Sequence, residues 1–210
     1  PICRLRARAL CYARAIMNLP NQLSLSRLVL ACVLVALLSF PGPATLALAL
    51  LVFVVGAVTD FLDGRIARAR NLITPFGKLI DPLADKVLVC AAFVMMLGLP
   101  ELRIPAWTVV AILAREFLVT GLRGLAAAEG VVMAANRGGK LKTVLQMAYV
   151  VAFLALAALL PWLPAATRET YTPVVGMVSL GTASAVALLT LYTGLAYLRE
   201  NWHVLHLQNR

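Results

Sequence analysis

Along residues 23–198 apolar side chains run in long stretches that neither alternate at the strand period nor leave a polar helical face. Six stretches are set off by breaks, at 23–40, 44–70, 76–98, 105–129, 139–161 and 171–198. At 1.5 Å per residue each is about long enough to cross ~30 Å of hydrocarbon. Pro41, Gly42 and Pro43, then Pro100 and Pro105, then Pro161 and Pro164 mark the turns, because proline lacks an N–H and disfavours helix just before it. Trp107, Trp162, Tyr171 and Trp202 fall near the ends of stretches, where amphipathic rings prefer the membrane interface. The pattern predicts an all-α integral membrane protein with six transmembrane helices.

Composition agrees. The chain is 62% hydrophobic and 13% charged, far from the quarter charged of an average soluble domain. A net charge of +10 invites a nucleic-acid reading, but the basic residues sit between apolar stretches, where they orient helices and attract anionic headgroups. Arg4, Arg6, Arg8 and Arg14 precede the first stretch; Arg65, Arg68, Arg70 and Lys78 lie around the second break; Arg137, Lys140 and Lys142 lie around the fourth. The opposite connections hold Arg103 and Arg168. Positive charge stays cytosolic, so both termini and the second break are expected on that side. Residues 1–16 read as a basic N-terminal extension or cytosolic tail, with a degenerate transit peptide as the alternative, residues 17–200 as the membrane domain, and 201–210 as a cytosolic tail. Cys3, Cys11, Cys32 and Cys90 show no paired spacing, and His203 and His206 have no cysteine nearby, so zinc and disulfides are not expected.

One segment breaks the apolar rule. All four aspartates of the chain, Asp60, Asp63, Asp81 and Asp85, lie within residues 60–85. Asp60 is sixteen residues from Ala44 and Asp81 seventeen from Gly98, about 24–25 Å of helix in each case. Both pairs are thus expected at one depth, just inside the cytosolic boundary. Asp60 and Asp63 are three apart and Asp81 and Asp85 four apart, so each pair shares a helix face. Four carboxylates can share such a space only if cations or protons neutralise them. An all-oxygen set without His or Cys points to hard ions, Mg²⁺ or Mn²⁺, and two such ions can clamp a phosphoryl displacement.

The neighbours are small. Gly64, Ala67 and Gly77 leave room beside the carboxylates for a bulky ligand, or let helices pack closely. Arg68 is placed either to pair with phosphate oxygens or to anchor the cytosolic boundary. Intramembrane carboxylates are functional by default. A divalent-cation transporter is the rival reading, but transport sites lie near the midplane, whereas these aspartates are expected at headgroup depth.

The order Asp60-x-x-Asp63-Gly64-x-x-Ala67-Arg68, eight residues, then Gly77-x-x-x-Asp81-x-x-x-Asp85 resembles the full signature of the CDP-alcohol phosphatidyltransferase family. The segments 17–27, 114–123 and 139–147 resemble the branch of that family whose acceptor is glycerol 3-phosphate. The resemblance implies a bacterial inner-membrane enzyme, a homodimer, that moves the phosphatidyl group of CDP-diacylglycerol to glycerol 3-phosphate and releases CMP. It implies that the four aspartates bind two divalent cations, with Asp85 as general base, and that Asp60, Gly64, Ala67, Arg68 and Gly77 border the CDP moiety. Serine, inositol phosphate or phosphatidylglycerol are the acceptors of sister enzymes with the same signature.

An acceptor that is a small dianion needs positive charge of its own. Arg115 lies ten residues inside the fourth stretch, about 15 Å from its outer end, too deep for a topology signal. Arg115, Arg123, Lys140 and Lys142 are the candidates for the acceptor phosphate. Lys140 and Lys142 serve equally as boundary anchors. Glu116 and Arg123 are seven apart on one face, so Glu116 is also placed to be the structural partner of Arg123. Asn18, Asn21 and Arg27 are expected to hold the first helix near the site.

Overall fold

Each proline-marked break ends a helix. A computed structural model describes the backbone of residues 19–70, 75–128 and 137–200, and the side chains of 25–59, 86–127 and 141–200. Among the described residues all regular structure is helical: α1 (Leu19–Ser39), α2 (Pro43–Arg70), α3 (Pro75–Met96), α4 (Ala106–Ala128), α5 (Arg137–Leu159) and α6 (Ala165–Glu200). Short 3₁₀ turns at Pro100–Leu102 and Leu160–Trp162 join α3 to α4 and α5 to α6. The α1–α2 turn is tied by Thr45, whose hydroxyl accepts from the Gly42 N–H at 2.7 Å and donates to the Phe40 carbonyl at 2.8 Å. Thr108 does the same for the start of α4, donating to the Pro105 carbonyl at 2.7 Å.

α6 starts at Ala165, six residues before the expected 171. The polar run Thr167–Thr170 is helical: the Arg168 N–H bonds the Pro164 carbonyl at 2.9 Å, and Thr172 Oγ1 donates to the Arg168 carbonyl at 2.7 Å. Pro173 therefore lies inside the helix, where it forgoes its own backbone bond.

α1 packs on both α2 and α3, α2 on α5, and α4 and α5 on α6. Leu34, Phe53, Phe93, Met96, Ile112 and Leu154, drawn from five helices, are fully buried. Phe93 stacks on Tyr149 with ring centroids 5.5 Å apart, and Tyr149 meets Phe153 at 4.6 Å. The Tyr149 hydroxyl, buried, shares a 2.8 Å hydrogen bond with Ser179 of α6. The buried stripe of α6 is mostly small: Gly176, Ser179, Ala183, Ala187, Thr190 and Gly194, ending at Tyr197. Residues of that size, recurring every three or four positions, let a helix lie close to its neighbours without a hydrophobic driving force.

The outward surface is apolar. Leu51 and Val55 on α2, Val110 on α4, Val144 on α5 and Leu188 and Leu195 on α6 are all exposed. So wide an apolar exterior suits hydrocarbon or another apolar helix and not water. Leu141–Trp162 and Ala165–Glu200 are each long and apolar enough to cross a membrane. Trp107, Trp162 and Tyr171 are exposed near helix ends, as amphipathic interface rings should be; Trp202 lies outside the described residues.

Three helices converge at Gly56. A Cβ there would stand 2.5 Å from Leu88 Cδ2 of α3 and 3.5 Å from Leu30 Cδ1 of α1. Gly56→Leu is expected to force these helices apart and cost ~1–3 kcal/mol, the usual range for overpacking, seen as a lowered melting temperature in detergent. Gly56→Ala should cost less, because the Leu88 methyl can turn aside. A Leu variant that melts like the native protein would contradict this close approach.

Candidate active site

The aspartates fall on two helices that meet. Asp60, Asp63, Gly64, Ala67 and Arg68 lie on α2, and Gly77, Asp81 and Asp85 on α3. Their side chains, and that of Lys140 on α5, lie outside the described residues. The backbone register is informative all the same. Asp60 is one turn beyond Gly56 on α2, and Asp85 is three residues before Leu88 on α3, so both carboxylate-bearing segments continue from the point where Gly56 and Leu88 touch. Among the described residues no three His, Cys, Asp or Glu side chains converge. The metal reading therefore rests on the aspartates themselves.

Directly beyond Asp85 the described structure holds a buried ionic cluster. Glu116 of α4 is its centre. Lys86 of α3 lies with Nζ 3.2 Å from Glu116 Oε2, Lys142 of α5 is ion-paired to Glu116 Oε1, and Arg115 Nη1 is 3.9 Å from Oε2. Arg115, Glu116 and Lys142 are buried, at 9%, 7% and 3% exposure. Arg115 Nε has no hydrogen-bond partner among the described residues. Among the described residues, three cations share this one carboxylate. Carrying charge into the interior costs several kcal/mol per ion unless it is paired, and basic groups gathered in one place can bind an anion.

Below the cluster is a cavity of about 210 Å³ between α3, α4 and α5. Lys86, Glu116, Cys90, Thr143 and Gln146 give it a polar side, and Val89, Phe93, Ile112 and Met147 an apolar one. Gln146 Nε2 also reaches Thr190 Oγ1 of α6 at 3.5 Å.

α6 backs the arginines. A Cβ on Gly194 would stand 2.7 Å from Arg115 Cγ, so the guanidinium stem lies in the notch that glycine leaves. One turn further on, Tyr197 accepts a 3.1 Å hydrogen bond from Arg123 Nε, and the Arg123 guanidinium carbon sits 5.1 Å from the Tyr197 ring centroid. The expected pairing of Glu116 with Arg123 is thus replaced. Glu116 turns to α3 and α5, and Arg123 turns to Tyr197. Arg115 and Lys142 come together at the cluster, with Arg123 beside it against α6. Lys86 was missed by the sequence reading, although a lysine next to Asp85 inside an apolar run was the available signal. Gly194 and Tyr197 had no signal, since their roles arise from contacts between distant segments. Arg27 is buried on α1; Asn18 and Asn21 fall outside the described side chains.

The sequence model of the CDP-alcohol phosphatidyltransferase family matches residues 17–170. The chain is 41% identical over 149 residues to the CDP-diacylglycerol–glycerol-3-phosphate 3-phosphatidyltransferase of Bacillus subtilis, which covers 65% of this chain and 76% of the relative. It is 39% identical over 183 residues to the protein of that name in Rickettsia typhi, covering 87% of this chain and 96% of the relative. It is also 33% identical over 208 residues to the cardiolipin synthase (CMP-forming) of Oryza sativa, covering 90% of this chain and 59% of the relative.

The cluster makes an asymmetric prediction. Lys142→Met leaves Glu116 with Lys86 and Arg115 and should be mild, whereas Glu116→Met takes the shared carboxylate from buried Arg115 and Lys142 and half-buried Lys86 and should cost ~3–5 kcal/mol. Thermal melts of the two variants in one detergent check this. Equal losses would mean that the charges do not share a common counter-ion.

Proposed function

The chain belongs to the CDP-alcohol phosphatidyltransferase family, and on that premise we propose that it transfers the phosphatidyl group of CDP-diacylglycerol to sn-glycerol 3-phosphate, forming phosphatidylglycerol phosphate and CMP. The observation that carries this reading is the alignment at 39–41% identity with relatives named for that reaction. The likeness to a cardiolipin synthase keeps a sister acceptor as the second reading. The basic groups gathered around Glu116 favour the first, because they suit a phosphomonoester anion. In this proposal six helices cross the membrane, both termini and the site face the cytosol, and the enzyme works as a homodimer.

Asp60, Asp63, Asp81 and Asp85 would hold two divalent cations, Mg²⁺ or Mn²⁺, and their all-oxygen donor set fits such hard ions. Bound there, the ions would supply neutralising charge for the pyrophosphate and its leaving oxygen. The protein's own groups do the rest. Asp60, Gly64, Ala67, Arg68 and Gly77 border the CDP moiety, with Arg68 pairing a phosphate oxygen. Arg115, Arg123, Lys140 and Lys142 draw in the acceptor phosphate, and Lys86 joins them at the cluster. The acceptor's primary hydroxyl attacks the phosphorus that bears diacylglycerol as Asp85 takes its proton, and the bond from that phosphorus to the CMP oxygen breaks. The apolar shell limits competing attack by water.

Two measurements test this. Chelation with EDTA should abolish CMP release from CDP-diacylglycerol, and added Mg²⁺ or Mn²⁺ should restore it; full activity in chelated buffer contradicts the metal reading. Asp85→Asn should lower turnover by ~100-fold or more, the usual worth of a general base, while binding of CDP-diacylglycerol changes less. Near-native turnover would remove Asp85 from the role of base, and metal uptake into liposomes without CMP release would establish the transporter instead.

A further inference from the structure

We infer that Gly194 and Tyr197 of α6 are positioning residues that aim Arg115 and Arg123 at the acceptor's phosphate, an inference that rests on the acceptor assignment above. Both arginines belong to α4, and α6 packs on that helix. Each is met by α6 in a different way. The Arg115 stem lies along Gly194: a Cβ there would stand 2.7 Å from Cγ, 3.7 Å from Cδ and 3.5 Å from Nε. Arg115 Nη1 lies 3.9 Å from Glu116 Oε2, at the outer limit of an ion pair, so the notch is the closer constraint on the stem. Three residues on, the Tyr197 hydroxyl accepts a 3.1 Å hydrogen bond from Arg123 Nε, and the guanidinium carbon lies 5.1 Å from the ring centroid. Gly194 and Tyr197 are both buried.

The physical reason is pre-organisation. An arginine stem has several rotatable bonds, and ordering it only when a ligand arrives subtracts from affinity. A stem already seated against a helix avoids that loss. Arginine serves phosphate because its planar donors meet two oxygens at once, which requires the plane to be correctly turned. Tyr197 fixes that plane for Arg123, the ring by its face and the hydroxyl by the direction of its bond. The bond takes the Nε–H and leaves the terminal NH2 groups out of it. Gly194 guides Arg115 by what it lacks, since a side chain there would collide with Cγ. Gly194 and Tyr197 lie one turn apart on α6, so the two arginines are held against a common support. Both residues act through the arginines.

The test follows CMP release by the full chain in detergent micelles at varied glycerol 3-phosphate and varied CDP-diacylglycerol. Gly194→Ala should raise the KM for glycerol 3-phosphate by ~10-fold, within the range that a misplacement of about 1 Å produces. Tyr197→Phe, which keeps the ring and removes the hydroxyl, should raise it ~3- to 10-fold, on the order of one hydrogen bond to a charged group. The KM for CDP-diacylglycerol should stay within about 3-fold in both variants. Non-additivity separates positioning from packing. In an Arg115→Ala background the stem is gone, so adding Gly194→Ala should change kcat/KM for glycerol 3-phosphate by less than about 2-fold. Tyr197→Phe should be equally silent in an Arg123→Ala background. A residue that only spaces α4 from α6 would lower kcat/KM alike with or without the arginine. That result overturns the inference, as does a native acceptor KM in both single variants. Melting curves accompany the kinetics, and Tyr197→Phe, which adds no volume, decides the matter if Gly194→Ala proves unstable. Native dependence on glycerol 3-phosphate in both Arg115→Ala and Arg123→Ala would instead overturn the acceptor assignment, and the inference with it.

Discussion

The sharing of one buried carboxylate by three cations is the constraint around which the aspartate-bearing end of this bundle is organised. Glu116 can be buried only with its partners, and those partners come from α3 and α5 as well as from α4. Any displacement of one helix against the others would strand a charge in the interior, where uncompensated ions are far more costly than lost apolar contacts. The cluster therefore sets the mutual register of α3, α4 and α5 at the level of the residue that follows Asp85. Packing alone does not impose that register, because helices in hydrocarbon have little hydrophobic incentive to prefer one contact over another.

Small residues make the arrangement possible. Gly56 lets α2 and α3 approach where their aspartate-bearing segments begin, and Gly194 gives the Arg115 stem a place against α6. Tyr197 then holds Arg123 by its hydroxyl and its ring face together. Beyond the cavity, which Phe93 lines together with Lys86 and Glu116, the Phe93, Tyr149 and Phe153 rings and the Tyr149–Ser179 bond close the core.

Much of this was legible in the sequence, for physical reasons. Prolines and long apolar runs placed six helices and their breaks, because a missing N–H and a hydropathy change act locally. The start of α6 was not legible, since no long apolar run covers residues 162–170, yet the helix begins at Ala165 and tolerates Pro173 in its interior. The aspartate spacing pointed to two cations from the chemistry of crowded carboxylates, and the family match supports the activity that spacing suggests. The partners of Glu116 were not legible. Periodicity along one helix offered Arg123, seven residues on, while the true partners are 30 residues before it and 26 after it in the chain. Lys86 escaped notice for the same reason, because nothing local says which helix a lysine reaches.

The account stands or falls on the acceptor. The most direct measurement is CMP release by the purified protein from CDP-diacylglycerol with Mg²⁺, offered glycerol 3-phosphate, serine, inositol phosphate, phosphatidylglycerol or no acceptor in parallel. The account predicts rapid CMP release with glycerol 3-phosphate, phosphatidylglycerol phosphate as the lipid product, and little release with the others. Preferential use of any other acceptor, or CMP release that ignores glycerol 3-phosphate, would contradict it.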